Sequence, residues 1–258
     1  MSCYSRGVPT ATKAGRTTIL RHSLLVRITH WLNFLAFIAL LITGIEIVIS
    51  HPRFYWGEVG NVNTQPLFTF HIPSSRDTVP TGYGYVLPDQ NGWSRYLHFQ
   101  AAWLLVLTGV VYLAYLFFTG HLRRNLFPSR DQRSLRAHIA RIGQYLRREK
   151  SSEDELRTYN VLQRSAYLTV IFVLFPLIVW TGLAMSPAVT TAFPFISSLL
   201  GGRQTARTLH LFITVALVLF LLVHVTMVAL SGFRARMRAM ITGKVQVTDT
   251  ELTPKELS

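Results

Sequence analysis

The sequence offers almost no sulfur chemistry and little charge. Cys3 is the lone cysteine among 258 residues, which excludes an intrachain disulfide framework and a cysteine-built metal site. No C-x-x-C-H motif occurs, so covalent c-type haem attachment is excluded as well. Asp and Glu together number 12, and charged residues make up 15% of the chain, against roughly a quarter in soluble domains. Glu46 is the only acidic residue in any long apolar run.

Long hydrophobic runs are what the sequence does have. Half of it is hydrophobic. Apolar stretches at about 28–49, 97–118, 166–185 and 209–230 each reach the roughly 20 residues that span a bilayer as helix. The first run is too long and starts too far in for a cleaved signal peptide, so it reads as a retained helix. The expected fold class is an all-α integral membrane protein, a four-helix transmembrane bundle over 21–233. Residues 1–20 are expected to be a poorly ordered tail, and 234–258 a second tail.

The formal net charge of +14 raises the question of nucleic acid. The basic residues, however, flank the apolar runs. Five lie in residues 1–27, eleven in 121–164 and five from Ser231 onward. Residues 50–94 hold only Arg53 and Arg76, and 187–208 only Arg203 and Arg207. The positive-inside rule places both termini and the 121–164 segment in the cytoplasm, with 50–94 and 187–208 outside. Membrane topology accounts for the charge, so the lipid bilayer is the expected partner and nucleic acid is not.

Between the runs, three features stand out. The outer loop "HPRFYWGEVGNVNTQPLFTFHIPSSRDTVPTGYGYVLPDQNGW" is long, and its aromatics favour a folded cap on the membrane surface. The inner segment carries Leu135, Ile139, Ile142 and Leu146 at helical spacing among arginines, which predicts an amphipathic helix on the cytoplasmic surface. Pro176 falls inside the third run and predicts a kink.

Nine histidines occur; His22, His51, His71, His121 and His138 fall in tails, loops or membrane edges. His30, His98, His210 and His224 fall inside the runs, where ionisable residues are costly. Their depths match in pairs. His30 opens the first helix, and His224 closes the fourth, which runs inward. His98 opens the second helix, and His210 opens the fourth, both at the outer side. His210 and His224 are fourteen residues apart, two heptads on one seam of a left-handed bundle. At a rise of 1.5 Å per residue this is roughly 21 Å, enough to stack two large flat cofactors. Zinc wants three or four ligands, whereas haem needs only axial ones. The residues therefore predict two b haems: His30 with His224 at the inner iron, and His98 with His210 at the outer iron. Arg27, Arg95 and Arg207 each precede a candidate ligand by three residues and are candidate propionate contacts or interfacial anchors. Gly44, Gly109 and Gly182 offer room for a bulky ring, or for ordinary helix packing.

With "RITHWLNF", "RYLHFQ", "YNVLQRSAY" and "RTLH…LLVHV" in place, the chain resembles the di-haem cytochrome b membrane subunits of formate dehydrogenase, thiosulfate reductase and nickel–iron hydrogenase, over about residues 21–233. The resemblance implies a bacterial inner-membrane protein that carries electrons between a membrane quinone and a periplasmic oxidoreductase subunit. It also implies a quinone pocket at the cytoplasmic start of the third helix, where Asn160 and Gln163 stand. The style of the outer loop is similar to cytochromes that accompany molybdenum-cofactor oxidoreductases. Two other readings remain open from sequence. One is a stand-alone quinone-linked cytochrome that reacts with a small outer oxidant or reductant such as superoxide. The other is a haem-free transporter with a histidine path.

Overall fold

The computed structural model describes residues 16–61, 63–71, 93–120, 161–230 and 232–248, together with isolated positions 122, 127, 134, 136, 139, 143 and 147. Among the described residues, four helices are long and apolar enough to cross a membrane. The first two are α1 (Leu24–Ser50) and α2 (Trp93–Phe118). The third is continuous from α3 (Val161–Thr169) through a π turn (Val170–Leu174) into α4 (Phe175–Ala184). Short helices α5 (Pro187–Ala192) and α6 (Phe195–Ser198) lead into the fourth span, α7 (Arg203–Leu230). The spans are apolar on every face, as lipid requires, and residues such as Leu35, Leu107 and Val223 stay about 60% exposed.

Close approach and a few polar ties hold the spans together. The Thr108 hydroxyl of α2 pairs with the Asn33 amide of α1. At Gly109 the second span meets the third, where a Cβ would sit 2.6 Å from Phe175 Cζ. Small residues that let helices touch are the usual packing device in lipid.

Just before Pro176, where a kink is expected, the helix takes a π turn. Proline has no N–H, and its ring collides with the carbonyl four residues back. One extra residue widens the preceding turn, and Phe175 N–H bonds Val170 O, a π-type closure.

At one end of the bundle, the chain leaving α1 folds into a cap. Strand β2 (Arg53–Phe54) pairs antiparallel with β3 (Phe68–Thr69). Phe54 stacks on Phe68 at 4.9 Å, and Phe68 lies 6.0 Å from Phe212 of α7. The first N–H groups of a helix have no partner within it, and this cap supplies them. The Gly57 carbonyl accepts from Gln204 N–H at 3.0 Å and from Thr205 N–H at 3.2 Å. The Glu58 carboxylate accepts from Arg203 N–H at 2.9 Å, its charge well placed at a helix N-terminus. The Thr208 hydroxyl donates to Tyr55 O at 2.8 Å. The expected folded cap is therefore present over the described part of the loop; residues 72–92 lie outside it.

Gly202 sets how closely cap and helix approach. Its φ is +112°, and a Cβ there would lie 2.5 Å from the Gly57 carbonyl carbon and oxygen. Gly202→Ala is expected to destabilise the protein by at least the roughly 1–3 kcal/mol of backbone strain at such a φ. Thermal unfolding in detergent should show a lowered Tm, and protease should cut faster within residues 51–71. An unchanged Tm and digestion pattern would refute the close packing of cap on helix.

At the other end the two tails meet. Strand β1 (Arg16–Leu20) pairs antiparallel with β4 (Lys244–Thr248), which follows helix α8 (Phe233–Thr242). Gly243, at φ +81°, turns the chain between them, and its carbonyl accepts from Arg21 N–H at 2.8 Å and His22 N–H at 3.2 Å. Trp31 Nε1 donates to Met240 O at 3.4 Å. The expectation of unordered chain up to residue 20 thus fails over Arg16–Leu20, because a strand 224 or more residues later completes its backbone hydrogen bonds. Of the expected amphipathic inner helix, Arg136, Ile139 and Gly143 are helical, while Leu135, Ile142 and Leu146 lie outside the described residues.

Candidate functional site

The bundle brings the four span histidines together as two pairs. At the tail end, His30 of α1 and His224 of α7 have ring centroids 6.4 Å apart, with planes at 51°. At the cap end, His98 of α2 and His210 of α7 have centroids 6.4 Å apart, with planes at 57°. Two metal–imidazole bonds of about 2 Å, plus roughly 1 Å from each nitrogen to its ring centre, sum to about 6 Å. Both pairs therefore stand at the separation that one iron between two imidazoles requires.

The surroundings of the cap-end pair are polar and tight. Thr43 Oγ1 lies 2.9 Å from His98 Nδ1, and Thr181 Oγ1 lies 2.9 Å from His210 Nδ1. Both threonines are almost wholly buried. The next residues in sequence are Gly44 and Gly182. A Cβ at either would stand 3.6 Å from Cε1 of His98 or His210 respectively, so each glycine opens space beside one imidazole.

The tail-end pair is set among aromatics. Trp31 presents its ring edge-on to His30 at 5.4 Å. Phe220 stacks on His224 at 5.8 Å and 22°, and Tyr167 approaches His224 at 6.1 Å. His30 Nδ1 and Arg27 Nε are both buried without a hydrogen-bond partner. A buried polar atom without a partner is costly; Arg27 stands one helical turn before His30, and its Nη1 is the atom a Cβ at Gly243 would meet at 2.7 Å. Two facing imidazoles and a buried Arg27 Nε–H without an acceptor are donors that an anionic, metal-bearing group would fit. Among the described residues, no group of three His, Cys, Asp or Glu gathers to hold a bare metal ion.

The other sequence candidates scatter around the two levels. The Arg207 guanidinium lies 4.6 Å over the Phe54 ring and donates one N–H to His51 O. Arg95 is exposed at the start of α2. His51 lies just beyond α1. Partial burial, then the charges of Arg207 and Arg95, lower its pKa from the ordinary value, so the three basic groups share one corner at the cap end. Gln163 stands in the first turn of α3, one turn before Tyr167. Asn160 lies outside the described residues. Thr43, Thr181, Trp31, Tyr167 and Phe220 escaped the sequence reading. Signals for three of them existed: the two threonines each precede a glycine already singled out, and Phe220 is four residues before His224, on the same face.

The pattern of a known family, described as prokaryotic cytochrome b561, matches residues 21–243. The chain belongs to the prokaryotic cytochrome b561 family. The match takes in α8 and ends at Gly243, the residue that joins it to β4. A relative from Azospira oryzae, described as a putative protein-methionine-sulfoxide reductase subunit YedZ1, is 36% identical over 205 residues, covering 80% of this chain and 88% of its own. No solved structure matches the chain. Membership makes this a multi-pass membrane protein of b-type haem and membrane electron transfer.

Proposed function

We propose that the chain carries electrons across the membrane through two b haems, one between His30 and His224 and one between His98 and His210. The observation that carries this reading is the recurrence of one geometry, 6.4 Å between ring centroids, at both ends of the same bundle. His30 with His224, and His98 with His210, would hold the haems, which when bound would supply a one-electron iron couple. The protein's part is to hold the two levels in line along α7, roughly 21 Å apart, and to keep water out with its apolar spans. Arg27, one turn before His30, would serve the tail-end site as a propionate contact, and Arg95 and Arg207 the cap-end site.

The positive-inside bias supports a cytoplasmic tail end and a periplasmic cap end. A quinone then docks near the start of α3, where Gln163 offers an amide to a quinone oxygen; Asn160 is the second candidate there. Two histidines on each iron would leave it no open position, so substrate chemistry would fall to a partner at the cap. The likeness to the Azospira relative supports a catalytic subunit that reduces methionine sulfoxide in proteins. The resemblance to cytochromes that accompany molybdenum-cofactor oxidoreductases favours a partner of that type.

The test is a reduced-minus-oxidised absorbance spectrum of the purified chain, with haem quantified per polypeptide. Two haems per chain with bis-histidine b-type bands are expected. One haem per chain, or none under conditions that load other b cytochromes, would overturn the reading.

A further inference from the structure

From the contacts of the cap-end histidines, we infer that Thr43 and Thr181 are positioning residues: each fixes the tautomer and plane of one imidazole so that Nε2 faces the iron site. The argument is one of hydrogen count. A threonine hydroxyl has one proton to give. Thr43 Oγ1 lies 2.7 Å from Ala39 O, and Thr181 Oγ1 lies 2.8 Å from Leu177 O. Both carbonyls accept only, so each hydroxyl spends its proton on its own helix. With the proton assigned to that shorter contact, the 2.9 Å contacts to His98 Nδ1 and His210 Nδ1 run the other way, with Nδ1–H donating to the hydroxyl. A neutral imidazole protonated at Nδ1 carries its lone pair on Nε2. That is the nitrogen an axial ligand needs, and the one left to face the partner ring.

The arrangement is built twice. Thr43-Gly44 on α1 serves His98 of α2, and Thr181-Gly182 on α4 serves His210 of α7. In both, the threonine takes Nδ1–H while the adjacent glycine lies against the ring, where a Cβ would meet Cε1 at 3.6 Å. The support comes each time from a neighbouring span, so the helix packing itself aims the ring. The tail-end pair has no such device at His30, whose Nδ1 is buried without a partner. An acceptor on Nδ1–H raises the basicity of a metal-bound imidazole and favours the oxidised iron. The threonines therefore hold the cap-end potential down and leave the tail-end one alone.

This inference rests on the cap-end pair being axial ligands, as proposed above. Its test is an optical redox titration of the full-length, haem-loaded chain. The step that His98→Ala abolishes marks the cap-end haem. In the double variant Thr43→Val with Thr181→Val, that step should move to higher potential by about a tenfold change in the reduction equilibrium, or about 59 mV, while the other step stays put. Both haems retained with neither step moved would overturn the inference. If the valine variants shed the cap-end haem, Thr43→Ser and Thr181→Ser decide. Retention at the native potential supports the hydroxyl role, and loss with serine also reduces the threonines to packing and overturns it. If His98→Ala leaves both steps intact, the ligand reading itself has failed, an outcome distinct from any the threonine variants give.

Discussion

Single alanine substitutions of the four span histidines should each remove one haem of two, and they should sort into two classes. His98→Ala and His210→Ala are expected to lose the same component, and His30→Ala and His224→Ala the other. An axial imidazole is half of the protein's direct hold on the iron. In each pair the partner ring, 6.4 Å away between centroids, would already hold the opposite side of the same iron and so cannot replace the missing ligand. Haem content should fall by about half in every variant, without loss of the four-span fold, because the spans are also held by contacts away from the histidines, such as Thr108 with Asn33 and Gly109 against Phe175. The sorting is the stronger part of the prediction. Haem loss alone would follow from many kinds of damage, but a two-plus-two division follows only from this pairing. His22→Ala, His51→Ala and His71→Ala, which stand outside both pairs, should keep two haems. A class that joined His30 with His98, or any variant that kept both haems, would break the assignment. The measurement is haem per chain by extraction, with a redox titration to tell the two components apart.

Depth is why the pairing was legible in the sequence. Helices in a membrane run end to end, so a histidine's place in its apolar run gives its level. The run's order gives its direction. His30 near the start of the first run and His224 near the end of the fourth had to meet. The fourteen-residue interval added the common face. Pro176 was legible as an irregularity, though only the structure shows it as a π turn. The cap was legible as a folded loop but not in its attachment. Gly57 and Thr205 are 148 residues apart, and nothing local to either says that one caps the other's helix. The same holds for Arg16–Leu20, which reads as loose tail until β4 lies beside it. Thr43 and Thr181 were hidden for another reason. Threonine back-bonded to its own helix is ordinary within spans, as Thr29, Thr108 and Thr214 also show. Only the neighbouring imidazole sets two of them apart.

Placing the quinone at the tail end makes the two haems act in series, and this yields the second large expected effect. A reduced quinone analogue added to the unmodified chain should reduce both haems. In His98→Ala and His210→Ala, the remaining tail-end haem should still be reduced at near the native rate, while electrons no longer reach the cap. In His30→Ala and His224→Ala, the remaining cap-end haem should respond only to dithionite, and reduction by quinol should fall to background. The asymmetry follows from geometry. Gln163 stands one turn from Tyr167 on α3, and the Tyr167 ring is 6.1 Å from His224, so the start of the third span borders the tail-end pair. His98 and His210 lie at the far side of the bundle, behind the cap that Gly57 and Glu58 fasten to α7. Gln163→Leu should slow quinol reduction by roughly tenfold, about the worth of one hydrogen bond, with both haems retained. Stopped-flow absorbance, with dithionite as the control, separates these cases. If the His30 and His224 variants are reduced by quinol and the His98 and His210 variants are not, the quinone enters at the cap end. The electron path would then run the other way along α7, and Gln163 would have no part in it.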